Sequence, residues 1–174
     1  MRVALPILAL LAAAPASAQQ RHNTAAPIDF GADRIELQDR ADRVVLAGNV
    51  SVKQAEMTLG ASRMTVAYTG EVIGGNPQVS RLDASGGVTV RRPGQTAKSQ
   101  YAIYDLNRRL ITMLGGVSLM QGSNNVNGAR LTINLDTGRA VIDGSGVGGS
   151  AGVPGAAPAR GGRVTGTFSV PQRN

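Results

Sequence analysis

Few residues in this chain are of types that could carry out catalysis. The only histidine is His22, and there is no cysteine. Because His22 lies in a polar stretch close to the N-terminus, it lacks the fixed position that the base of a Ser-His-Asp triad needs. The absence of cysteine excludes a thiol nucleophile, and it excludes zinc sites built from His and Cys as well.

Two pairs of carboxylates could in principle perform acid and base chemistry. Asp33 with Glu36, and Asp39 with Asp42, lie three residues apart. A glycosidase needs two carboxyl groups facing each other across a cleft, one of them in an apolar pocket that raises its pKa. Arginines are interspersed with all four of these residues, so we interpret them as solvated surface charge.

Two short motifs are also misleading. Residues 144–149 superficially resemble a phosphate-binding loop, but that motif needs a strand before it, a helix after it and usually a lysine. Residues 49–51 match a glycosylation acceptor but fall inside a predicted strand. We therefore expect a protein that is not an enzyme and that has no cofactor and no metal site.

The elements that must position any functional residues form a repeat, because a two-strand unit occurs three times. In each unit the start of the second strand lies 15 or 16 residues after the start of the first strand. A repeated strand pair cannot bury its apolar face alone, so the copies are expected to stack into one continuous sheet structure. The first strands are residues 48–52, 86–90 and 115–119, and the second strands are residues 64–68, 101–104 and 131–135.

Turn signals separate about eleven short runs with strand character. Pro93-Gly94, residues 105–109 and residues 136–139 read as hairpin turns, whereas residues 69–77 read as a longer loop. Residues 33–37 could be a strand or one helical turn. With no convincing amphipathic helix, the pattern predicts an all-β sandwich, roll or barrel.

Composition divides the chain into four parts. Residues 1–18 combine a charged start, an apolar run and an Ala-x-Ala site, which predicts a cleaved signal peptide and export. Residues 19–26 are predicted to be a disordered leader, and residues 27–143 one β domain. Residues 144–174 are predicted to be a flexible basic tail rich in Gly, Ala and Pro; residues 163–170 regain strand character, but we expect disorder there too.

The net charge of +7 is concentrated at the two ends of the chain. Residues 27–143 contain 13 Lys and Arg against 11 Asp and Glu, a balance of only +2. A nucleic-acid-binding surface would cluster its cations and interleave them with aromatic residues, and neither feature is present. We expect no nucleic-acid partner, whereas an anionic glycolipid or membrane surface remains open.

Several stretches together resemble the LptA/OstA-like family of periplasmic lipopolysaccharide-transport proteins. The resemblance covers residues 27–143, and the second repeat unit departs from it because no glutamine follows its strand, unlike Gln54 and Gln121 in the other units. The order and spacing of the matching stretches make the resemblance specific. They are residues 26–30, 44–52, 97–104, 110–122, 126–131 and 138–139.

This resemblance implies a twisted, open β-jellyroll that holds the acyl chains of lipopolysaccharide and carries the lipid across the periplasm. It implies head-to-tail stacking of copies into a bridge between an inner-membrane LptC-like protein and the N-terminal domain of an outer-membrane LptD-like protein. Two alternatives stay open: an envelope adaptor with the same fold, and a structural β-repeat protein without lipid transfer.

Strand alternation assigns a set of lipid-facing residues to the interior of this jellyroll. Several apolar runs, such as residues 110–114, are apolar on both parities, and a slip of one residue would exchange the two faces. The predicted lipid-binding residues are Ile28, Phe30, Val50, Val52, Leu59, Met64, Val66, Val88, Val90, Tyr101, Ile103, Leu110, Val117, Leu119, Leu131 and Ile133.

Overall fold

The structure, a computed structural model, describes residues 22–70, 75–144 and 163–168. The predicted signal peptide lies outside the described residues, as do residues 19–21 of the predicted leader and most of the predicted tail. The described residues contain no helix that is long and apolar enough to cross a membrane.

In the described residues ten strands form one antiparallel sheet, which confirms the all-β prediction. The predicted short runs join into longer strands; the runs on either side of Gly48, for example, make one continuous strand. The strands are β1 Ile28–Gly31, β2 Arg34–Gln38, β3 Arg43–Gln54, β4 Met57–Thr69, β5 Gln78–Arg92, β6 Gln95–Asp105, β7 Leu110–Gln121, β8 Asn124–Asn134, β9 Ala140–Asp143 and β10 Thr165–Thr167.

Strands β3 to β8 follow one another as a meander, and two short strands cover each outer strand of it. At one side β1 and β2 both pair with β3, and we call this the N-terminal margin. At the other side β9 and β10 both pair with β8, and we call this the C-terminal margin. The sheet is therefore open, with two margins that do not meet.

A line of irregularities crosses the sheet at mid-strand, and we call it the bulge line. In β5, Gly86 and Gly87 both have positive φ, 81° and 67°. A Cβ atom on Gly86 would lie 2.8 Å from the Cβ atom of Ser62, so only glycine fits there. Bulges bend strands and increase their twist. The register shifts at Ala47/Val50, Gly60/Arg63, Ser85/Val88, Lys98/Tyr101 and Leu114/Val117.

The sheet curls over itself along the bulge line. The Tyr104 hydroxyl on β6 donates a 2.7 Å hydrogen bond to Oε1 of Gln54, which is the last residue of β3. In a flat sheet three strand spacings, about 14 Å, would separate these strands, and the two residues also lie on opposite sides of the bulge line. The segments on the two sides of the line must therefore face each other, as in a jellyroll.

Two segments that were expected to be disordered are structured where the structure describes them. Gln54 Nε2 donates hydrogen bonds to the carbonyl oxygens of Thr24 and Ala26, at 3.0 and 3.1 Å, so the end of the predicted leader docks on the sheet. Residues 165–167 of the tail form β10 by pairing with β8. Both segments become ordered through partners that are distant in sequence.

Candidate functional site

One face of the sheet carries apolar side chains in continuous rows, and we call it the inner face. Directly paired residues of an antiparallel sheet point to the same face, so the register defines each row. The first row is Val44, Val66, Leu82, Tyr104, Ile111 and Ile133; the second is Leu46, Met64, Ala84, Ala102, Met113 and Leu131; the third, across the bulge line, is Phe30, Val52, Leu59, Val90, Ala97, Leu119 and Val126.

All three rows reach the N-terminal margin without being covered there. Leu37 extends the first row and Ile35 the second, because they pair with Val44 and Leu46. Leu37, Ile35 and Phe30 are 43%, 53% and 49% exposed, although they point to the same face as the buried core. The apolar interior therefore opens to solvent along this margin. Large apolar side chains that are grouped and exposed in this way are typical of binding surfaces.

Away from the margin the inner face is closed by its own side chains. Leu46, Met64, Leu82 and Leu131 have no exposed surface, and they belong to one continuous hydrophobic cluster. Any ligand reaching the centre of the rows must separate the segments that face each other across the bulge line. Entry at the N-terminal margin requires the least rearrangement, because apolar surface is already accessible there.

A buried amide lies at the end of the inner face that is next to the third row. Gln54 is 2% exposed. Its Oε1 accepts a hydrogen bond from the hydroxyl of Tyr104 and lies 3.2 Å from Nε2 of His22. Burial raises the pKa of Tyr104 to about 12, so its hydroxyl stays protonated and remains a donor. This network holds the segment before β1 against the sheet and ties it to β6.

A cation lies at the same end, one position beyond the third row. Arg92 follows Val90 on the same face of β5 and is partly buried. Burial lowers the pKa of Arg92, and in the described part of the chain no carboxylate forms an ion pair with it. A half-buried cation without a counter-ion is suited to an anionic group of a ligand whose apolar part covers the third row.

The structure brings thirteen of the sixteen predicted lipid-facing residues onto the inner face. Nine of them belong to the three rows, Val50, Val88 and Val117 are buried beside the bulge line, and Ile28 packs against the core next to Gln54. The nine row members are Phe30, Val52, Leu59, Met64, Val66, Val90, Leu119, Leu131 and Ile133. Their contact with lipid stays a prediction.

The other three, Tyr101, Ile103 and Leu110, lie on the outer face, so their assignment to the interior was wrong. Tyr101 is 58% exposed, and the buried residues of the same strand segment are Ala102 and Tyr104. The register shift between β6 and its neighbours causes the error. The buried positions of β6 are odd-numbered up to residue 99 and even-numbered from residue 102 onward. In the apolar run 110–114, sequence alone did not reveal which parity is buried.

Sequence reasoning missed the residues that open the inner face and the polar network beneath it. Ile35 and Leu37 alternate with polar residues, which is a strand signal, but residues 33–37 were left ambiguous between strand and helical turn. Gln54 was noticed only as a repeat feature; its partner Tyr104 is 50 residues away. In the described residues no group of three His, Cys, Asp or Glu side chains could hold a metal ion.

Comparison with known proteins identifies the family. The profile of the family described as LptA/(LptD N-terminal domain) LPS transport protein matches residues 30–139, which span β1 to the turn before β9. The chain belongs to this family. The matched range contains all three repeat units, the bulge line and the three inner rows.

Two individual proteins are similar to the chain. Protein R00383 of Rhizobium meliloti (strain 1021), which is described as uncharacterized, is 34% identical over 124 residues, covering 69% of this chain and 67% of the relative. The crystal structure of LptH from Pseudomonas aeruginosa, described as the LptA-homologous periplasmic component of the lipopolysaccharide transport device, superposes with a TM-score of 0.67. That alignment covers 86% of this chain and 99% of LptH at 16% identity, so it supports the jellyroll fold.

Proposed function

We propose that this protein is a non-catalytic periplasmic carrier that holds the acyl chains of lipopolysaccharide along its inner face. In this role it receives the lipid from an LptC-like protein of the inner membrane and passes it to the N-terminal domain of an LptD-like protein of the outer membrane. Copies of the chain stack head to tail between the two. Membership of the lipopolysaccharide-transport family supports the general role.

The observation that carries the proposal is the exposure of apolar rows at the N-terminal margin. An acyl chain of about 14 carbons gains about 0.8 kcal/mol per buried CH₂, or roughly 10 kcal/mol in total. A gain of this size can offset the partial separation of packed side chains along the bulge line. Phe30, Ile35 and Leu37 are where the first methylene groups would leave water, and Arg92 lies where an anionic headgroup would find a cation.

The close packing of the core is the observation that favours the second candidate, an envelope adaptor with this fold that does not transfer lipid. Such an adaptor needs only the sheet margins for its partners, and its inner face would stay closed. Lipid contact at the inner face separates the two functions, because only the carrier makes it.

Photo-cross-linking tests the proposal with a matched pair of aromatic positions. Phe30 and Tyr101 are 49% and 58% exposed, but Phe30 belongs to the inner face and Tyr101 to the outer face. With a photoreactive phenylalanine analogue at either position and purified lipopolysaccharide, position 30 is expected to give at least about fivefold more lipid adduct. Equal labelling at the two positions would contradict the carrier and favour the adaptor.

A further inference from the structure

The last described strand, β10, lies on a backbone edge that the other strands leave open. Strand β8 pairs with β7 along nearly its whole length, but on its other side β9 reaches only residues 130–133. On the remaining part of that side β10 pairs with three residues: its residues 165, 166 and 167 lie opposite residues 127, 126 and 125. An open strand edge is a template for pairing with another chain, and β10 occupies this one.

The hold of β10 on this edge is weak. It has only three residues, Thr165, Gly166 and Thr167, and all three are exposed. The flanking apolar side chains Val164 and Phe168 are 43% and 67% exposed, so they add little buried surface. The net gain from so few hydrogen bonds barely offsets the ordering of the backbone, most of all at a glycine.

The position opposite Val126 shows what would bind there better. Val126 ends the third apolar row, and β10 places Gly166, which has no side chain, in the next place of that row. At the other margin the same row begins with Phe30, half exposed on β1. If β1 of a second copy replaced β10, its Phe30 would continue the row beside Val126 and lose its contact with water.

We propose that β10 is an intramolecular cap that competes with the N-terminal margin of a second copy of this chain for residues 125–127 of β8. The proposal rests on the head-to-tail stacking in the proposed function, and it adds a way in which the chain regulates that stacking. Because β10 belongs to the same chain, its local concentration does not change when the protein is diluted, whereas that of a second copy does. At low protein concentration β10 therefore stays paired with β8, and at high protein concentration a second copy displaces it.

A reversible lock tests this control in the full chain. Thr165 and Asn127 are direct partners in the register, and the chain has no cysteine of its own, so T165C with N127C can form only one disulfide within a molecule. In sedimentation experiments the oxidised protein is expected to self-associate at least about tenfold more weakly than the same protein after reduction. Equal association of the two forms would overturn the proposal.

A release variant tests the opposite direction. Successive N–H groups of a strand point to opposite sides, so the double variant G166P with T167P removes an N–H group that faces β8 and releases β10 from this edge. The control is V164L, which adds a methylene group at an exposed neighbouring position. The variant G166P with T167P is expected to strengthen self-association at least about tenfold and to speed hydrogen exchange of the amides of residues 125–127, and V164L to change neither.

The two proposals fail in different ways. Unchanged exchange at residues 125–127 in the variant G166P with T167P, or unchanged association in spite of faster exchange, would overturn the capping role of β10. Neither result affects lipid binding, which is read separately from lipopolysaccharide adducts at position 30 of the oxidised, locked protein. Loss of those adducts would overturn the carrier function and leave the competition at the edge of β8 in place.

Discussion

The two margins of the sheet end the same apolar rows in opposite ways. At the N-terminal margin the rows finish in large side chains that are about half exposed: Leu37, Ile35 and Phe30. At the C-terminal margin the same rows finish in small or covered residues: Ala140, Ile142 and Gly166. The rows therefore end in large exposed side chains at one margin and in small or packed residues at the other, where the exposed Val164 and Phe168 flank β10 but do not belong to the rows.

This difference gives the molecule a direction. A contact between unlike margins is heterologous, so it can be repeated from copy to copy instead of closing a pair. It also places the solvent-exposed apolar side chains of one copy next to the residues at which the rows of the next copy end. The margins differ further in their attachment, since a buried polar network holds the N-terminal one and close packing holds part of the C-terminal one. Four predictions test this contrast.

The largest effect is expected from removing the buried amide of the N-terminal margin. Q54A deprives the Tyr104 hydroxyl of its acceptor and the carbonyl groups of Thr24 and Ala26 of their donor. We expect a loss of about 3 kcal/mol in the free energy of unfolding, because a buried polar group without a partner costs about 1–3 kcal/mol and the docked segment is released as well. Urea denaturation followed by circular dichroism measures it.

Gln121 provides the control for that substitution. It ends β7 as Gln54 ends β3, but it is exposed. Q121A should change the free energy of unfolding by less than about 0.5 kcal/mol, which is typical of surface substitutions. Similar losses in the two variants would mean that repeat position, and not the network at the N-terminal margin, determines the contribution of Gln54.

The second prediction concerns the response of the same network to alkaline pH. Tyr104 has a pKa of about 12 in the folded protein against 10 for the unperturbed group. Because the folded state favours the neutral hydroxyl, this contribution to stability is fully present below pH 10 and is lost as the pH rises towards 12. At 1.36 kcal/mol per pKa unit the loss is at most about 3 kcal/mol.

The variant Y104F separates this contribution from other groups that titrate in the same range. It should be less stable than the unmodified chain near neutral pH by about 1 kcal/mol, because one buried hydrogen bond is missing. Between pH 10 and 12 its unfolding free energy, from urea denaturation at each pH, should fall less steeply. Parallel pH profiles for the two proteins would show that Tyr104 does not ionise within this network.

The third prediction sets one glycine of each margin against the other. A Cβ atom on Gly128 of β8 would contact Cγ2 of Ile142 and lie 3.0 Å from the carbonyl oxygen of Asp143, both on β9, whereas one on Gly31 of β1 would meet nothing within 4 Å. We expect G128A to destabilise the protein by about 2 kcal/mol through overpacking. G31A should be neutral or stabilising by up to about 1 kcal/mol. Thermal unfolding of both variants measures the difference, and equal effects would remove the distinction between a packed and an open margin.

Features of this asymmetry could be predicted from the sequence when the interacting residues are close together along the chain, and not when they are far apart. The strand pairs, the Pro93-Gly94 turn and the hairpin at residues 105–109 follow from local signals, and the structure has each of them. In that hairpin Asp105 Oδ1 accepts the backbone N–H of Arg108 at 2.9 Å, as expected for a capped bend. Alternation also identified most of the inner face, because its period is a local property of a strand.

Long-range partners explain what the sequence did not reveal. The phase of alternation changes inside β6 where the register shifts opposite the paired glycines of β5 and β7, so Tyr101 and Ile103 were assigned to the wrong face. Residues 163–170 have strand character, but the sequence did not reveal that residues 165–167 pair with the open edge of β8. The ordering of the leader likewise depends on Gln54, about 30 residues further along the chain.

The smallest effect is expected from the ion pair at the C-terminal margin. Arg130 on β8 and Asp143 on β9 are 3.0 Å apart (Nη2 to Oδ2), and the side chain of each is 37% exposed. At the N-terminal margin the comparable pair, Arg34 and Glu36, lies within one strand at 3.7 Å and links no strands. A double-mutant cycle of R130Q and D143N should therefore give a coupling energy of about 0.5 kcal/mol, because exposed pairs gain little in water.

The same cycle with R34Q and E36Q should give a coupling energy near zero, and the coupling between Arg130 and Asp143 should fall further in 1 M salt, where exposed charges are screened. These values would mean that β9 is held to β8 mainly by the packing of Ile142 and Asp143 against Gly128. A coupling above about 2 kcal/mol that survives in salt would instead make the C-terminal margin an electrostatic junction. It would then resemble the polar network around Gln54, and the contrast between the margins would lie only in the side chains that end their rows.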